Sequence, residues 1–327
     1  MIKLDSNENQ LSHILNIKDI VKDIDVRNYP DVQIVKLREA ISNKYNIPFN
    51  QVFCSNGSDT LIKVITFCLV SINEEILMPD IAFPTYEIAA KMKECQYKLV
   101  PLKNYGIDLD GMVKNISDRT KLIWLSNPHN PTGTLLSTDE IKNFLKKVPE
   151  HIYVVLDEAY IEYVYGEVPN SLDIYREHKN LIILRTFSKA YGLAGARVGY
   201  GFAREEIYSK LALGLGPFDV NSYAQKLALN VIDCDEYVSK TRENNYVEII
   251  RYEEMCKDLN LEFIKSHASF IMINLGQKAN EYCSLLENYN IFIKNGSKIG
   301  MPGWVRISIG SNEQNTEIIK LTNRICL

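Results

Sequence analysis

Short, continuously apolar runs recur along the first two thirds of the chain, and each stops abruptly at a polar cluster. Val52-Phe53-Cys54-Ser55 runs into Asn56-Gly57-Ser58-Asp59, and Leu122-Ile123-Trp124-Leu125 into Ser126-Asn127-Pro128-His129-Asn130-Pro131-Thr132-Gly133-Thr134. Ile152-Tyr153-Val154-Val155-Leu156 runs into Asp157-Glu158-Ala159-Tyr160, and Leu181-Ile182-Ile183-Leu184 into the segment Thr186-Phe187-Ser188-Lys189. Runs this short, apolar at nearly every position, predict strands buried on both faces. A helical pattern, Thr60-Leu61-Ile62-Lys63-Val64-Ile65, follows the first cluster. Strands alternating with helices predict an α/β fold, a mainly parallel sheet between layers of helices. Ligands of such sheets collect outside the carboxyl ends of the strands, and all four polar clusters fall there.

These clusters occupy residues from about 29 to 230. Beyond them lies a charged helical stretch, Glu236–Asn260. Apolar runs then return at Phe270-Ile271-Met272-Ile273, Ile291-Phe292-Ile293 and Val305-Arg306-Ile307-Ser308-Ile309. The pattern predicts a large domain over 29–230 and a smaller α+β layer over 231–327.

The chemistry of the clusters is specific. Lys189 sits just past a buried strand, where an ammonium is costly unless its charge is used or removed. A Schiff base to a cofactor aldehyde removes it. Thr186, Ser188 and Arg197 lie close by in sequence and offer the hydroxyls and the cation that a phosphate needs. An aldehyde and a phosphate on one small molecule point to pyridoxal 5'-phosphate (PLP). A solvated loop lysine is the plain alternative. Asp157, at a strand end, is placed to keep a pyridine nitrogen protonated; it would serve equally as an ordinary helix cap. Gly57 lets the backbone come close, and the free N–H groups of Ser58 and Asp59 at a helix start suit a phosphate. Arg306 stands in an apolar strand, where its guanidinium needs an anion: a substrate carboxylate or phosphate, or a neighbouring acidic side chain.

Taken together, N-P-H-N-P-T-G, D-E-A-Y, T-F-S-K-A-Y-G-L-A-G-A-R-V-G and V-R-I-S-I-G resemble the fold-type I PLP aminotransferases. The start L-D-S-N-E-N, with N-Y-P-D-V-Q-I-V-K-L-R-E-A and S-N-G-S-D, is similar to the histidinol-phosphate aminotransferase subfamily. The resemblance runs from about Leu4 to Gly310. It implies a seven-stranded-type sheet in the large domain, and places residues 1–28 with 231–327 in the small one. It implies that Asn130 and Tyr160 contact the cofactor's phenolic oxygen and that Tyr86 stacks on its ring. Asn130 by itself could be a plain turn asparagine. Tyr29 would reach the phosphate bound by the other subunit of a homodimer. Asn7, Arg306 and Lys294 are the candidate substrate contacts. Two departures stand out: Gln10-Leu11-Ser12 follows N-E-N, and Lys294 stands where the subfamily carries an arginine. A lysine holds phosphate as a point charge, without bidentate geometry.

Composition narrows the remaining classes. The 327 residues carry a net charge of −4, which points to no nucleic-acid or anionic-membrane partner. No apolar stretch reaches a membrane span, and the N-terminus lacks a signal-peptide core. Seven scattered cysteines without a C-x-x-C pair fit a reducing, cytoplasmic setting. The implied activity is transfer of an amino group from histidinol phosphate to a 2-oxo acid, 2-oxoglutarate. An aromatic amino acid aminotransferase and a PLP-dependent decarboxylase of a phosphorylated amino acid are the alternatives. A non-catalytic PLP-binding protein is disfavoured, because ring, base and oxygen partners are all present.

Overall fold

A computed structural model describes every residue except Ile14 and Leu327, and it contains two sheets. Eight strands come first: β1 (Ile2–Leu4), β2 (Val52–Ser55), β3 (Glu75–Pro79), β4 (Gln96–Val100), β5 (Thr120–Ser126), β6 (Tyr153–Asp157), β7 (Leu181–Thr186) and β8 (Gly199–Phe202). Four more follow: β9 (Phe263–Ile264), β10 (Phe270–Asn274), β11 (Ile291–Asn295) and β12 (Trp304–Ser308). The large sheet has seven strands in the order β2-β8-β7-β6-β5-β3-β4. Its core, β4-β3-β5-β6-β7, is parallel throughout, and β8 runs antiparallel to both neighbours. The α/β class read from the apolar runs is therefore the class observed.

The central strands have no polar face because both faces are covered. Trp124, Val155, Ile182 and Leu184 pack into one apolar cluster, and Leu125, Leu156, Ile183 and Val154 into the other. Neighbouring residues of one strand fall in opposite clusters, as the two-residue period of a strand requires. The helix Ser58–Leu69 buries Leu61, Ile62, Ile65 and Leu69, an apolar stripe at helical spacing, on one of these faces. Helix Thr138–Leu145 starts at a capping box, in which Ser137 and Glu140 satisfy each other's backbone N–H groups.

The second sheet has the order β1-β11-β12-β10-β9, so the first strand of the chain completes a sheet otherwise built from its last third. The β1–β11 pair is parallel, and the other described pairs of this sheet are antiparallel. The register sets Lys294 opposite Arg306 and Arg306 opposite Met272. The charged stretch expected at 236–260 is a 24-residue helix, Asp235–Asp258. The rest of the N-terminal segment does not follow β1: Leu15, Ile17, Ile20 and Val21 pack against the large-sheet core. Among the described residues, no helix is long and apolar enough to cross a membrane.

Candidate active site

The carboxyl ends of β5, β6 and β7 meet at one open cleft, of about 530 Å³ when the solvent at its mouth is included. Ser126, Asp157, Thr186, Ser188, Lys189, Tyr86, Asn130, Tyr160, Ser58, Asp59 and Arg197 all line it. The parallel register produces this convergence: Ser126 of β5 pairs with Asp157 of β6, and Asp157 lies one strand from Leu184 of β7. Lys189 follows β7 by three residues, is half-buried, and donates from Nζ to the Ser6 carbonyl at 3.2 Å. Its Nζ lies 5.7 Å from the centre of the Tyr160 ring.

Asp157 is buried and accepts two hydrogen bonds, from the Tyr86 hydroxyl at 2.6 Å and the Ala159 N–H at 3.2 Å. Burial nevertheless pushes its carboxyl up to about 6, with the two hydrogen bonds pulling the other way. Among the described residues no cation pairs with this carboxylate, which is the partner a protonated ring nitrogen would need. Tyr86 is fully buried, with its ring stacked on Trp124 at 4.7 Å between centroids.

At the other end of the cleft, Gly57 caps the helix that starts at Ser58, with φ of 79°. A side chain there would be strained, and its Cβ would lie 2.5 Å from Nη2 of Arg197. Arg197, itself left-handed at φ 60°, reaches the Ser188 hydroxyl at 3.4 Å and the Asp59 carboxylate at 3.2 Å. Free N–H groups, a hydroxyl and a guanidinium around a glycine make a phosphate cradle. Thr186 contributes its oxygen to the same turn by accepting the Ser188 N–H at 3.0 Å.

Residues of the small sheet and of the segment after β1 do not line the cleft themselves but hold Asn130 and Tyr160, which do. Arg306 of β12 is buried and donates to Oδ1 of Asn130 at 2.7 Å and to the Asp5 carbonyl at 3.1 Å, while its Nε has no partner. Burial lowers its pKa, with Tyr160 and Asp5 opposing. Among the described residues no carboxylate lies at hydrogen-bond distance, and a buried guanidinium with a spare donor is suited to an incoming anion. Asn7 is buried too and donates from Nδ2 to the Tyr160 hydroxyl at 2.9 Å. Its contact is therefore a cleft residue of the protein. Lys294 does not line the cleft; its Nζ lies 4.0 Å from the Asp5 carboxylate.

Tyr29 is 81% exposed, away from this cleft, and stacks on Phe218 at 4.4 Å. Glu158, adjacent to Asp157, turns away and forms a buried ion pair with Arg185 at 2.8 Å. Sequence reasoning passed over Ser126, Phe83 and Ala159, which line the cleft, and Ser308, which holds Asn7. Ser308 was within reach: it lies two residues after Arg306 in the same strand and so on the same face.

A parallel sheet with a lysine, a buried aspartate and a glycine-turn cradle at its carboxyl edge defines the class: a cofactor-dependent α/β enzyme. The chain belongs to the aminotransferase class I and II family, whose model matches residues 1–321. It is 38% identical to a protein named histidinol-phosphate aminotransferase 2 from Haemophilus influenzae, over 99% of this chain and 90% of that one. It is 37% identical to the histidinol-phosphate aminotransferase of Caldicellulosiruptor saccharolyticus, covering 99% and 92%. The fold superimposes with a TM-score of 0.91 on the Sinorhizobium meliloti histidinol-phosphate aminotransferase, solved in complex with pyridoxal-5'-phosphate. That pair shares 21% identity over 99% of this chain and 90% of the other.

Proposed function

We propose that the chain is a PLP-dependent aminotransferase that moves the amino group of histidinol phosphate to 2-oxoglutarate. One observation carries the cofactor reading: a single cleft is lined by a lysine, by the buried carboxylate Asp157, and by Ser58 and Arg197 of the glycine-turn cradle. The relatives above supply the substrate reading. When bound, PLP supplies an aldehyde that exchanges for the donor's amine and a ring that accepts electrons from the substrate's Cα.

The chain's own residues do the rest. Lys189 is the residue that would hold the aldehyde carbon, and its free amine would be the group to carry the proton at the substrate Cα. Asp157 keeps the pyridine nitrogen protonated, and the pyridinium in turn draws Asp157 back to its ionised form. Ser58, Ser188, Thr186 and Arg197 anchor the phosphate, and Tyr160 and Asn130 face the phenolic oxygen. Arg306 orients the anionic end of the substrate. The exposed Tyr29–Phe218 pair supports a homodimer in which Tyr29 reaches the partner's cofactor phosphate. Cys54, Cys68, Cys95, Cys234 and Cys283 are free thiols, in keeping with a cytoplasmic setting.

Asp5 beside Lys294 favours a second reading, in which an unphosphorylated aromatic amino acid is the donor. A carboxylate there weakens the point charge that would hold a substrate phosphate. The test is a donor panel with 2-oxoglutarate, read as glutamate formed. Histidinol phosphate should exceed histidinol, phenylalanine and tyrosine in kcat/KM. Equal or better use of phenylalanine or tyrosine refutes the histidinol-phosphate assignment.

A further inference from the structure

We propose that Asn7 is a positioning residue that makes the Tyr160 hydroxyl an obligatory donor toward the cleft. The proposal rests on the PLP reading above only for what that donor meets. Asn7 follows β1 with a left-handed backbone, φ 57°, and is locked to Ser308 of β12 by a two-way contact. Its backbone N–H donates to the Ser308 hydroxyl at 2.9 Å, and that hydroxyl donates back to Oδ1 of Asn7 at 2.9 Å. With Oδ1 so engaged, the amide nitrogen must face Tyr160, to which it donates at 2.9 Å.

Asn130 is fixed by the same logic from the other side. Arg306 can only donate, so the Asn130 atom it meets at 2.7 Å is the oxygen, and Nδ2 of Asn130 turns to the Tyr160 hydroxyl at 3.4 Å. Tyr160 thus accepts from two amides. Its own proton has no acceptor among them, and Tyr160 is one of the residues that line the cleft. Both amides take their orientation from β12, one through Ser308 and one through Arg306. The small sheet therefore sets the hydrogen-bond polarity of a residue on the large one.

A donor at the cofactor's phenolic oxygen withdraws negative charge and weakens the hold on a neighbouring proton. Losing the Asn7 amide lets the Tyr160 proton turn to other acceptors, so the visible absorbance band of the PLP-loaded protein should titrate about one pH unit higher. Asn7→Gly removes the amide while tolerating the left-handed backbone. Its shift should approach that of Tyr160→Phe, and the double variant should shift no further than Tyr160→Phe. An unchanged midpoint in Asn7→Gly, or additive shifts, overturns the proposal. Ser308→Ala, which frees the Asn7 amide without removing it, should give a smaller shift in the same direction; no shift from a folded Ser308→Ala protein counts against it.

A cofactor-free readout separates this from the PLP reading. In protein labelled with ¹⁵N-asparagine, the Asn7 side-chain amide signal, identified by its loss in Asn7→Gly, should move on Tyr160→Phe substitution. If it does not, the Asn7–Tyr160 link is refuted whatever the cofactor does. If it moves while no visible band forms with PLP, the link stands and the cofactor reading fails.

Discussion

Asp157→Asn should stabilise the cofactor-free protein and at the same time abolish transamination. The folded carboxyl is raised from 3.8 to about 6 because burial penalises its ionised form. The unfolded chain therefore loses this proton at lower pH than the folded one. Sign follows directly: the penalty is fully present above about pH 6 and fades as pH falls from 6 toward 3.8. That interval, at about 1.4 kcal/mol per pH unit, amounts to about 3 kcal/mol. Asparagine is a neutral stand-in, with Oδ1 for the Ala159 N–H and Nδ2 for the Tyr86 oxygen, so most of this gain should be realised. Urea denaturation of the cofactor-free protein, at fixed protein concentration because a dimer's stability depends on it, should show a gain of about 2–3 kcal/mol at pH 7. At pH 4.5 the gain should shrink to about 1 kcal/mol. Catalysis should fall on the order of hundredfold or more in kcat, since the charge facing the ring is gone. A gain of the same size at both pH values, or a loss at pH 7, would refute the assignment of an unpaired, cation-seeking carboxylate.

Other perturbations probe the remaining walls. Borohydride treatment of the PLP-loaded protein should leave the pyridoxyl label on Lys189 by peptide mass spectrometry; a label on another lysine removes Lys189 from its role. Gly57→Ala sets a methyl group 2.5 Å from the Arg197 guanidinium, so PLP affinity by equilibrium titration should drop about tenfold or more. Arg306→Gln should raise the donor's KM by roughly 10- to 100-fold, the loss of charged hydrogen bonds of about 1.5–3 kcal/mol, with PLP affinity nearly unchanged. Mixed dimers of Lys189→Ala chains with chains inactivated at Tyr29 should recover activity at one site; no recovery from chains shown to exchange makes Tyr29 structural.

That several polar residues would gather at one cleft was legible in the sequence, because they end or closely follow a buried strand. Asp157, Asn130 and Lys189 are marked by the sudden stop of an apolar run, and parallel pairing brings such stops to one edge. The Ser58 helix start was legible from its glycine turn for the same local reason. What the sequence concealed depends on distant pairing. Asn7 meets Ser308 across 301 positions, and no local pattern records that contact. The buried face of Tyr86 against Trp124 was equally hidden, since each looks like an ordinary core aromatic alone. Lys294 is expected as a substrate contact only through the resemblance, as the residue standing where the subfamily carries an arginine; that the register sets it opposite Arg306 with Asp5 near its ammonium is visible only in the fold. Packing of Leu15–Val21 on the large core likewise needed the fold, because a five-residue helix carries too little periodicity to choose a surface.

Amino transfer at this cleft is tested most directly by a single half-reaction. PLP-loaded protein is mixed with histidinol phosphate alone and followed by absorbance, with CO₂ release measured in parallel. The visible band should disappear within the turnover time, leave pyridoxamine phosphate on the protein without CO₂, and return when 2-oxoglutarate is added. A band that persists with histidinol phosphate, or CO₂ released with no pyridoxamine phosphate from a phosphorylated amino acid, would contradict it and move the chain to a different donor or to the decarboxylases.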